Sequence, residues 1–514
     1  MKKFQRVFAV LAAGCLLGGT VSALAGCAQG AELVTLRVSS WEEYIDLGDW
    51  KDDELIEVDN PYAADGKSGI IGVNSMVDDF TEWFNETHEY EIKVEYSTFG
   101  TNEDLYNRLS LGDEYDLVCP SDYMLMKLID EGNFVEYSEK FRDGSVEENY
   151  YARFVSRYID GDADSVFAKN GWDGVAACYM WGTTGLVYNP EELKNDDDIN
   201  TFGILLNGDY NRRVTIKDNV RDAYFATLGI INKDRLTGDS LTGEERSEIL
   251  NDVNSDTIAA AEDVLKNIKD NVYSFETDSG KADMVTGKVI ANYQWSGDAV
   301  HIMDEADGDE TELWYSVPDE CTNLWFDGWL MLKNGVNGDE KKQEAAEAFV
   351  NFLSRPDNAV RNMYYIGYTS AIAGDVVFDY MDWNYGADEE AELTVDYDLG
   401  YFFGGEDSFI TADASQFQFD GESISRGRQL FAQYPSANVI ERSVVMLDFG
   451  DKLSEINRMW INVRCLDLLD IPVGTVIAVV CIIVVAAGGI CLYAFRHKLP
   501  LFSKPRKGYK KIEK

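Results

Sequence analysis

Histidine, proline and positive charge are all scarce in this chain of 514 residues, and each scarcity removes a class of function. Three histidines (His88, His301 and His497) leave little for imidazole acid–base work or for a histidine zinc site. Lys and Arg total 45 against 92 Asp and Glu, a formal net charge of -47, so a phosphate backbone is repelled at long range and nucleic acid is not an expected partner. Nine prolines and the lack of internal repeats speak against loosely tethered modules. Eight cysteines without a CxxC pair are too few to staple a fold of this size. One disulfide among Cys119, Cys178, Cys321 and Cys465 is allowed in an exported chain, but single buried thiols are the expectation. The loops Asp160 to Ser165 and Asp304 to Glu310 space their carboxylates as hard cations prefer. In the first, however, Ser165 stands where an EF-hand needs glycine and Gly171 where it needs a bidentate Glu, so both read as solvated loops and no metal or cofactor is expected. What is present in quantity is apolar and aromatic: 45% and 12%, enough for one large core or several ordinary ones.

Both termini carry addressing patterns. Lys2, Lys3 and Arg6 precede an apolar stretch from Val7 to Leu24, the charged and apolar regions of a secretory signal over residues 1 to 26. The stretch closes on Leu24, Ala25, Gly26 and Cys27, an order that resembles a bacterial lipobox and marks Cys27 for lipidation. Val473 to Phe495 contains no charged residue, and at 1.5 Å per residue it would span roughly 34 Å, so a transmembrane helix is expected there. The basic tail from Arg496 to Lys514 would then lie in the cytoplasm and the bulk of the chain on the outer face of a bacterial cell membrane. Setting aside the +3 of residues 1 to 26 and the +7 of the tail, the -47 of the whole chain becomes -57 on residues 27 to 495, so the acidity belongs to the exported part.

Within that part, strand and helix patterns alternate. Leu33 to Ser40 reads as a buried strand. Met76, Val77, Phe80, Trp83 and Phe84 recur at helical spacing, and Ile92, Val94 and Tyr96 at period two. Asn102 can cap a short helix, Tyr115 to Cys119 is a strand halted by Pro120, Val214 to Ile216 and Val289 to Trp295 are strands, and Asp222 to Ile230 is a helix. Lys341 to Leu353 is an amphipathic helix with Ala345, Ala348, Phe349 and Phe352 inward. The rhythm implies α/β lobes built on parallel sheets covered on both faces. The acidic segment Asp46 to Asp65 reads as a surface insertion, and Gly386 to Asp413 resists assignment.

Several strand ends pair an aromatic residue with a hydroxyl or carboxylate: Trp41 with Tyr44, Ser121 with Tyr123, Trp295 with Asp298, Trp325 with Asp327. In an open parallel sheet, ligands sit beyond the carboxyl ends of strands, so these positions can converge. Aspartates supply charge-assisted hydrogen bonds, and Trp and Tyr faces cover methylenes and attract cations. That chemistry suits a polyamine, a string of ammonium groups separated by methylene runs. It leaves open another solute such as a sugar, a carboxylate-dependent glycoside hydrolase, or an acidic surface scaffold.

The segments SSWEEYI (Ser39 to Ile45), YDLVCPSDY (Tyr115 to Tyr123), YMWGTTGLVYN (Tyr179 to Asn189), KDNVRDAY (Lys217 to Tyr224), YQWSGDA (Tyr293 to Ala299), LWFDGW (Leu324 to Trp329), AFVNFLSRPDNA (Ala348 to Ala359) and YIGYTSA (Tyr365 to Ala371) occur in this order. Together the series resembles the spermidine/putrescine-binding proteins of polyamine ABC importers. The resemblance implies an α/β, two-lobed periplasmic-binding-protein-like fold of type II, here with a C-terminal transmembrane helix, and crossover strands near Trp181 and Trp295. It implies a first lobe over 27–181 returning at 296–345, a second over 182–295 returning at 346–472 with an acidic extension, and then the span 473–495 and the tail 496–514. It implies no enzyme activity, but capture of spermidine or putrescine between the lobes and delivery to ABC permease subunits and, through them, to the ATPase. The ligand-binding set carried over is Trp41, Tyr44, Ser121, Tyr123, Asp222, Trp295, Asp298, Asp327 and Tyr368. Asn219 stands where some relatives carry an acid, and Tyr365 is the rival of Tyr368.

Overall fold

The computed structural model describes residues 33–58, 69–238, 240–389, 391–405, 408–421 and 423–465. The chain divides into two compact units; the first ends at Ile456 and contains the strands and the cavity described below, and the second, described from Asn457 to Cys465, is helical as far as Arg464.

The first strand, Leu33–Trp41, has Val34, Leu36 and the run Val38 to Ser40 buried. It pairs in parallel with Glu91–Phe99, from Leu33 opposite Glu91 to Trp41 opposite Phe99, and on its other side with Leu117–Val118. The intervening helix Met76–Thr87 starts at Ser75, whose side chain accepts from the Asp78 amide, and buries Met76, Phe80 and Phe84 at four-residue intervals. A second parallel group lies further along the chain: Val214–Lys217 between Ser274–Glu276 and Ala291–Trp295.

Two long antiparallel strands tie the groups together. Ala176–Tyr188 and Thr322–Met331 are buried along their whole lengths, the pattern of strands covered on both faces. They pair from Leu324 opposite Thr183 to Leu330 opposite Ala176, with a register shift between Asp327 and Gly328. At one end Met331 pairs with Leu117 of the first group; at the other Thr184 pairs with Trp295 of the second. The result is a two-lobed α/β architecture in which the two groups are joined through a pair of shared strands. The shift at Asp327 re-aims that side chain, as bulges do beside functional sites, and Ser121 bridges to it from the first group.

Two segments that lacked a clear pattern acquire structure. Thr394–Asp398 pairs antiparallel with Phe409–Asp413 over a buried Tyr397, Ile410 and Ala412. Ile56–Val58 pairs with Gly69–Ile71, and Asp46, expected to open a surface insertion, is buried. Cys119, Cys178 and Cys321 are buried free thiols, and Cys465 is exposed.

The membrane part of the expected fold and localisation is corrected. Among the described residues no helix is long and apolar enough to cross a membrane. The longest, Ser255–Asn271, has 17 residues with only Ile258, Ala261, Leu265, Ile268 and Asn271 buried; Asp256, Glu262, Asp263, Lys266, Lys269 and Asp270 charge the rest of its surface. Val473 to Phe495, the tail after it, the signal pattern and Cys27 lie outside the described residues. Over the described residues the fold is the two-lobed α/β body with no transmembrane helix, which does not support the expected single-span fold and localisation.

Candidate functional site

Four strand ends deliver chain to one place. Leu33–Trp41 ends on Trp41; after Leu117–Val118 the chain turns at Ser121 into the helix Asp122–Asp130; after Val214–Lys217 it enters Val220–Ile231; Ala291–Trp295 runs straight into Ser296–Gly308. Each helix brings a polar residue in its first turn: Tyr123, Asp222 and Asp298. The loops after parallel strands thus converge as open α/β sheets require, around a cavity of about 490 Å³. All nine residues carried over from the motifs, Trp41, Tyr44, Ser121, Tyr123, Asp222, Trp295, Asp298, Asp327 and Tyr368, line it. So do Trp325 and the rival Tyr365, with different roles. Tyr368 donates its hydroxyl to Asp298 Oδ1 at 2.9 Å, whereas Tyr365 donates to the Ile71 carbonyl at 2.9 Å and stacks on Trp50 at 4.3 Å, fastening a neighbouring loop.

Close packing explains two glycines. Gly367 ends the helix Pro356–Ile366 at φ +77°, a conformation that favours glycine, and turns the chain so that Tyr368 follows. Gly297, between Trp295 and Asp298, lies beneath the Tyr368 ring: a Cβ there would come within 2.4 Å of it. The aromatic wall continues from Tyr368 to Tyr44, 4.9 Å away edge to face, and to Trp325 at 5.9 Å.

The carboxylates fall into distinct electrostatic situations. Asp327 accepts from the Tyr44 hydroxyl at 2.5 Å, while its Oδ1 is buried with no partner among the described residues. Burial pushes its acid up to about 6, opposed by the Tyr44 and Ser121 hydroxyls. Burial likewise lifts Asp222 to about 6, against the pull of Lys217. Burial acts in the same sense on Asp298, but Lys281 and Lys217 together overcome it and hold this carboxyl below its ordinary range. Lys281 Nζ lies 3.0 Å from Asp298 Oδ1, and Lys217 Nζ 3.9 Å from Oδ2. Lys217 also sits over the Trp295 ring at 4.0 Å from its centroid. Asp122 accepts from the Tyr123 amide at 2.7 Å, and burial drives its acid well up. Tyr44, Tyr123 and Tyr368 are all pushed up by burial and so remain hydroxyl donors. Asn219 is occupied as a cap, accepting from the Arg221 and Asp222 amides.

Lys217, Lys281 and Asp122 were not singled out from the sequence. Lys217 reads there as the residue after the strand Val214 to Ile216, and Lys281 falls in a seven-residue helix, Ser279–Val285, three residues after Asp278, where a solvated ion pair is the ordinary expectation. Among the described residues no group of three or more His, Cys, Asp or Glu is disposed to hold a metal ion. The arrangement can hold a cationic, partly apolar small molecule between aromatic faces and buried carboxylates.

A family profile described as "Bacterial extracellular solute-binding protein" matches residues 75–375. The spermidine/putrescine-binding periplasmic protein of Salmonella typhimurium is 25% identical over 370 residues, covering 72% of this chain and 84% of that protein. The putrescine-binding periplasmic protein PotF of Escherichia coli is 24% identical over 376 residues, 70% of this chain and 83% of its own. The crystal structure of the spermidine/putrescine ABC transporter substrate-binding protein PotD from Streptococcus pneumoniae superposes with a TM-score of 0.51 at 21% identity, covering 84% of this chain and 98% of that one.

Proposed function

Because the chain belongs to the bacterial extracellular solute-binding proteins, a family of ABC-transporter binding components rather than of enzymes, we propose that its cleft captures linear polyamines and hands them to a membrane permease. The observation that carries this reading is the pairing of two buried carboxylates, Asp222 and Asp327, with walls of tryptophan and tyrosine in one cavity. An ammonium group beside a buried carboxylate recovers the charge compensation that burial denies it, and a methylene chain lies well against Trp41, Tyr44, Trp295 and Tyr368. Ser121 and Tyr123 add neutral oxygen atoms at the mouth of the helix Asp122–Asp130, and Asp298 fixes Tyr368. The relatives named above for spermidine and putrescine support the same ligand class.

The architecture is compatible with delivery to a permease. The two parallel groups meet through shared strands, so drawing them together around a ligand is a hinge motion, and the closed shape is what a permease can read. Calorimetry of the purified protein against putrescine, spermidine, neutral sugars and amino acids tests the reading. A polyamine at a hundredfold excess over its dissociation constant should stabilise the fold by about 2.7 kcal/mol. Stabilisation by a sugar or amino acid with none by either polyamine would replace the ligand class.

A further inference from the structure

We infer that Lys281 fills the place of a ligand ammonium at Asp298 and so sets the cleft to accept a diamine in preference to a triamine. This inference rests on the polyamine reading of the same cavity and adds to it the number of charges the ligand brings.

The argument is a balance of charge. Among the buried carboxylates that line the cavity, three are already satisfied by the chain. Asp46 holds Arg361 at 2.5 Å. Asp122 receives backbone amides from Tyr123 and Phe326. Asp298 has the Lys281 ammonium at 3.0 Å and the Lys217 ammonium at 3.9 Å, together with the Tyr368 hydroxyl. Two buried carboxylates then remain with no ammonium or guanidinium within 4.0 Å among the described residues, Asp222 and Asp327; Lys217 and Arg221 act on Asp222 only through their field. The acids at the rim do not change this count: Glu43 and Asp278 are largely exposed, lie 3.8 Å and 3.7 Å from Lys281, and are solvated.

Lys281 is well placed to act as a tethered competitor. Its side chain lines the cavity and is 18% exposed, so it is neither a surface lysine nor sealed in the core. A third ligand ammonium approaching Asp298 would meet a like charge already hydrogen-bonded there, with Lys217 behind it and one face of Trp295 taken by the same lysine. To admit it, the protein would have to expel Lys281 to solvent, and the new ion pair at Asp298 would only replace one of equal charge. A diamine spanning Asp222 and Asp327 would displace no ammonium already bonded to either carboxylate.

The test is the ratio of putrescine to spermidine affinity, measured by calorimetry on the purified full chain and on K281M and K281R. The parent should bind putrescine about tenfold or more tighter than spermidine. K281M, which keeps the length of the side chain and removes its charge, should shrink that ratio about tenfold by tightening spermidine, and K281R should keep the parental ratio. A parent that prefers spermidine overturns the inference, and this readout needs no variant to fold. Equal changes for both amines in K281M, or no change, also overturn it while leaving the polyamine reading standing. If neither the parent nor K281M binds either amine, the polyamine reading fails and the inference falls with it.

Discussion

Tyr44 and Asp327 are 283 residues apart in the chain and share a hydrogen bond of 2.5 Å, the phenol donating to Oδ2 inside the cavity. The pairing joins the loop after the first strand to the register shift in the long strand Thr322–Met331. Burial keeps the phenol protonated and raises the acid, so the bond stabilises the charged carboxylate against the cost of its surroundings. Tyr44→Phe should therefore destabilise the protein by about 1–3 kcal/mol near neutral pH, the cost of leaving a buried acceptor unmet. Urea denaturation should show a smaller loss near pH 5, where Asp327 is largely protonated; an equal loss at both pH values would assign the effect to packing.

The same carboxyls predict how ligand affinity responds to acid. Asp222 and Asp327 titrate near 6 in the folded chain against an ordinary 3.8. With their pKa raised on folding, they favour the fold below the ordinary value, and that contribution is lost as pH rises through about 6, where the unliganded cleft must hold two charged carboxylates. An ammonium ligand needs those charges and repairs their cost. Amine affinity, and the melting-temperature rise that an amine produces, should increase from about pH 5 to about pH 8 and then level. Asp298, held low by Lys281 and Lys217, stays ionised throughout this window. Affinity that falls over the same interval would show that other groups govern binding.

Much of this was legible in the sequence because the relevant residues sit at strand ends. Trp41, Ser121 and Trp295 occupy the exits that alternation predicts, and the strands Leu33–Trp41 and Val214–Lys217 match their patterns closely. Expected boundaries moved where local chemistry overrode pattern: Thr101, not Asn102, caps the helix Asn102–Leu111, and the Asn102 carboxamide accepts from the Ser121 amide instead. In Glu340–Leu353, Ala345, Phe349 and Phe352 are buried as expected and Ala348 is partly buried against the core, while Ala346 and Val350 are buried as well. Lys217 and Lys281 were illegible because their role depends on non-local partners. A lysine's meaning comes from the carboxylate it meets, and Asp298 is 81 residues from Lys217 along the chain. Asp46 failed for the same reason, since its partner Arg361 lies 315 residues away.

That Asp46–Arg361 pair predicts a structural lesion with a functional echo. Arg361 is 2% exposed; it donates to Asp46 Oδ2 at 2.5 Å, to Asp79 Oδ2 at 2.6 Å and to the Asn74 carbonyl, tying the loop that carries Tyr44 to the helices Met76–Thr87 and Pro356–Ile366. Arg361→Met should cost about 3–5 kcal/mol because it strands a buried carboxylate. Adding Asp46→Asn should recover part of that loss. Urea midpoints of the two single variants and the double variant measure it, and strict additivity would mean the pair is not coupled.

Direct contacts and the general field of this acidic chain can be separated by salt. Asp222 and Asp327 are buried in the cavity, so Asp327→Ala should weaken amine binding by about 1.5–3 kcal/mol, the range for hydrogen bonds to charged groups, and the loss should persist at high salt. Trp295→Ala should weaken it by roughly 0.5–2 kcal/mol through lost stacking and cation–π contact, with little change in salt dependence. Asp49, Asp52 and Asp53, on the loop beyond Asp46, and Glu57, in the strand Ile56–Val58, are exposed and do not line the cavity, so they should act on a ligand only through their field. Neutralising these four together should slow association in dilute salt, and the effect should fade as the Debye length shrinks from about 10 Å at 0.1 M to about 3 Å at 1 M. Stopped-flow association rates over that range decide between the two behaviours. If Asp327→Ala binds amine as tightly as the parent while the loop variant loses affinity at every salt concentration, the ligand sits at the rim of the molecule and not in the cavity.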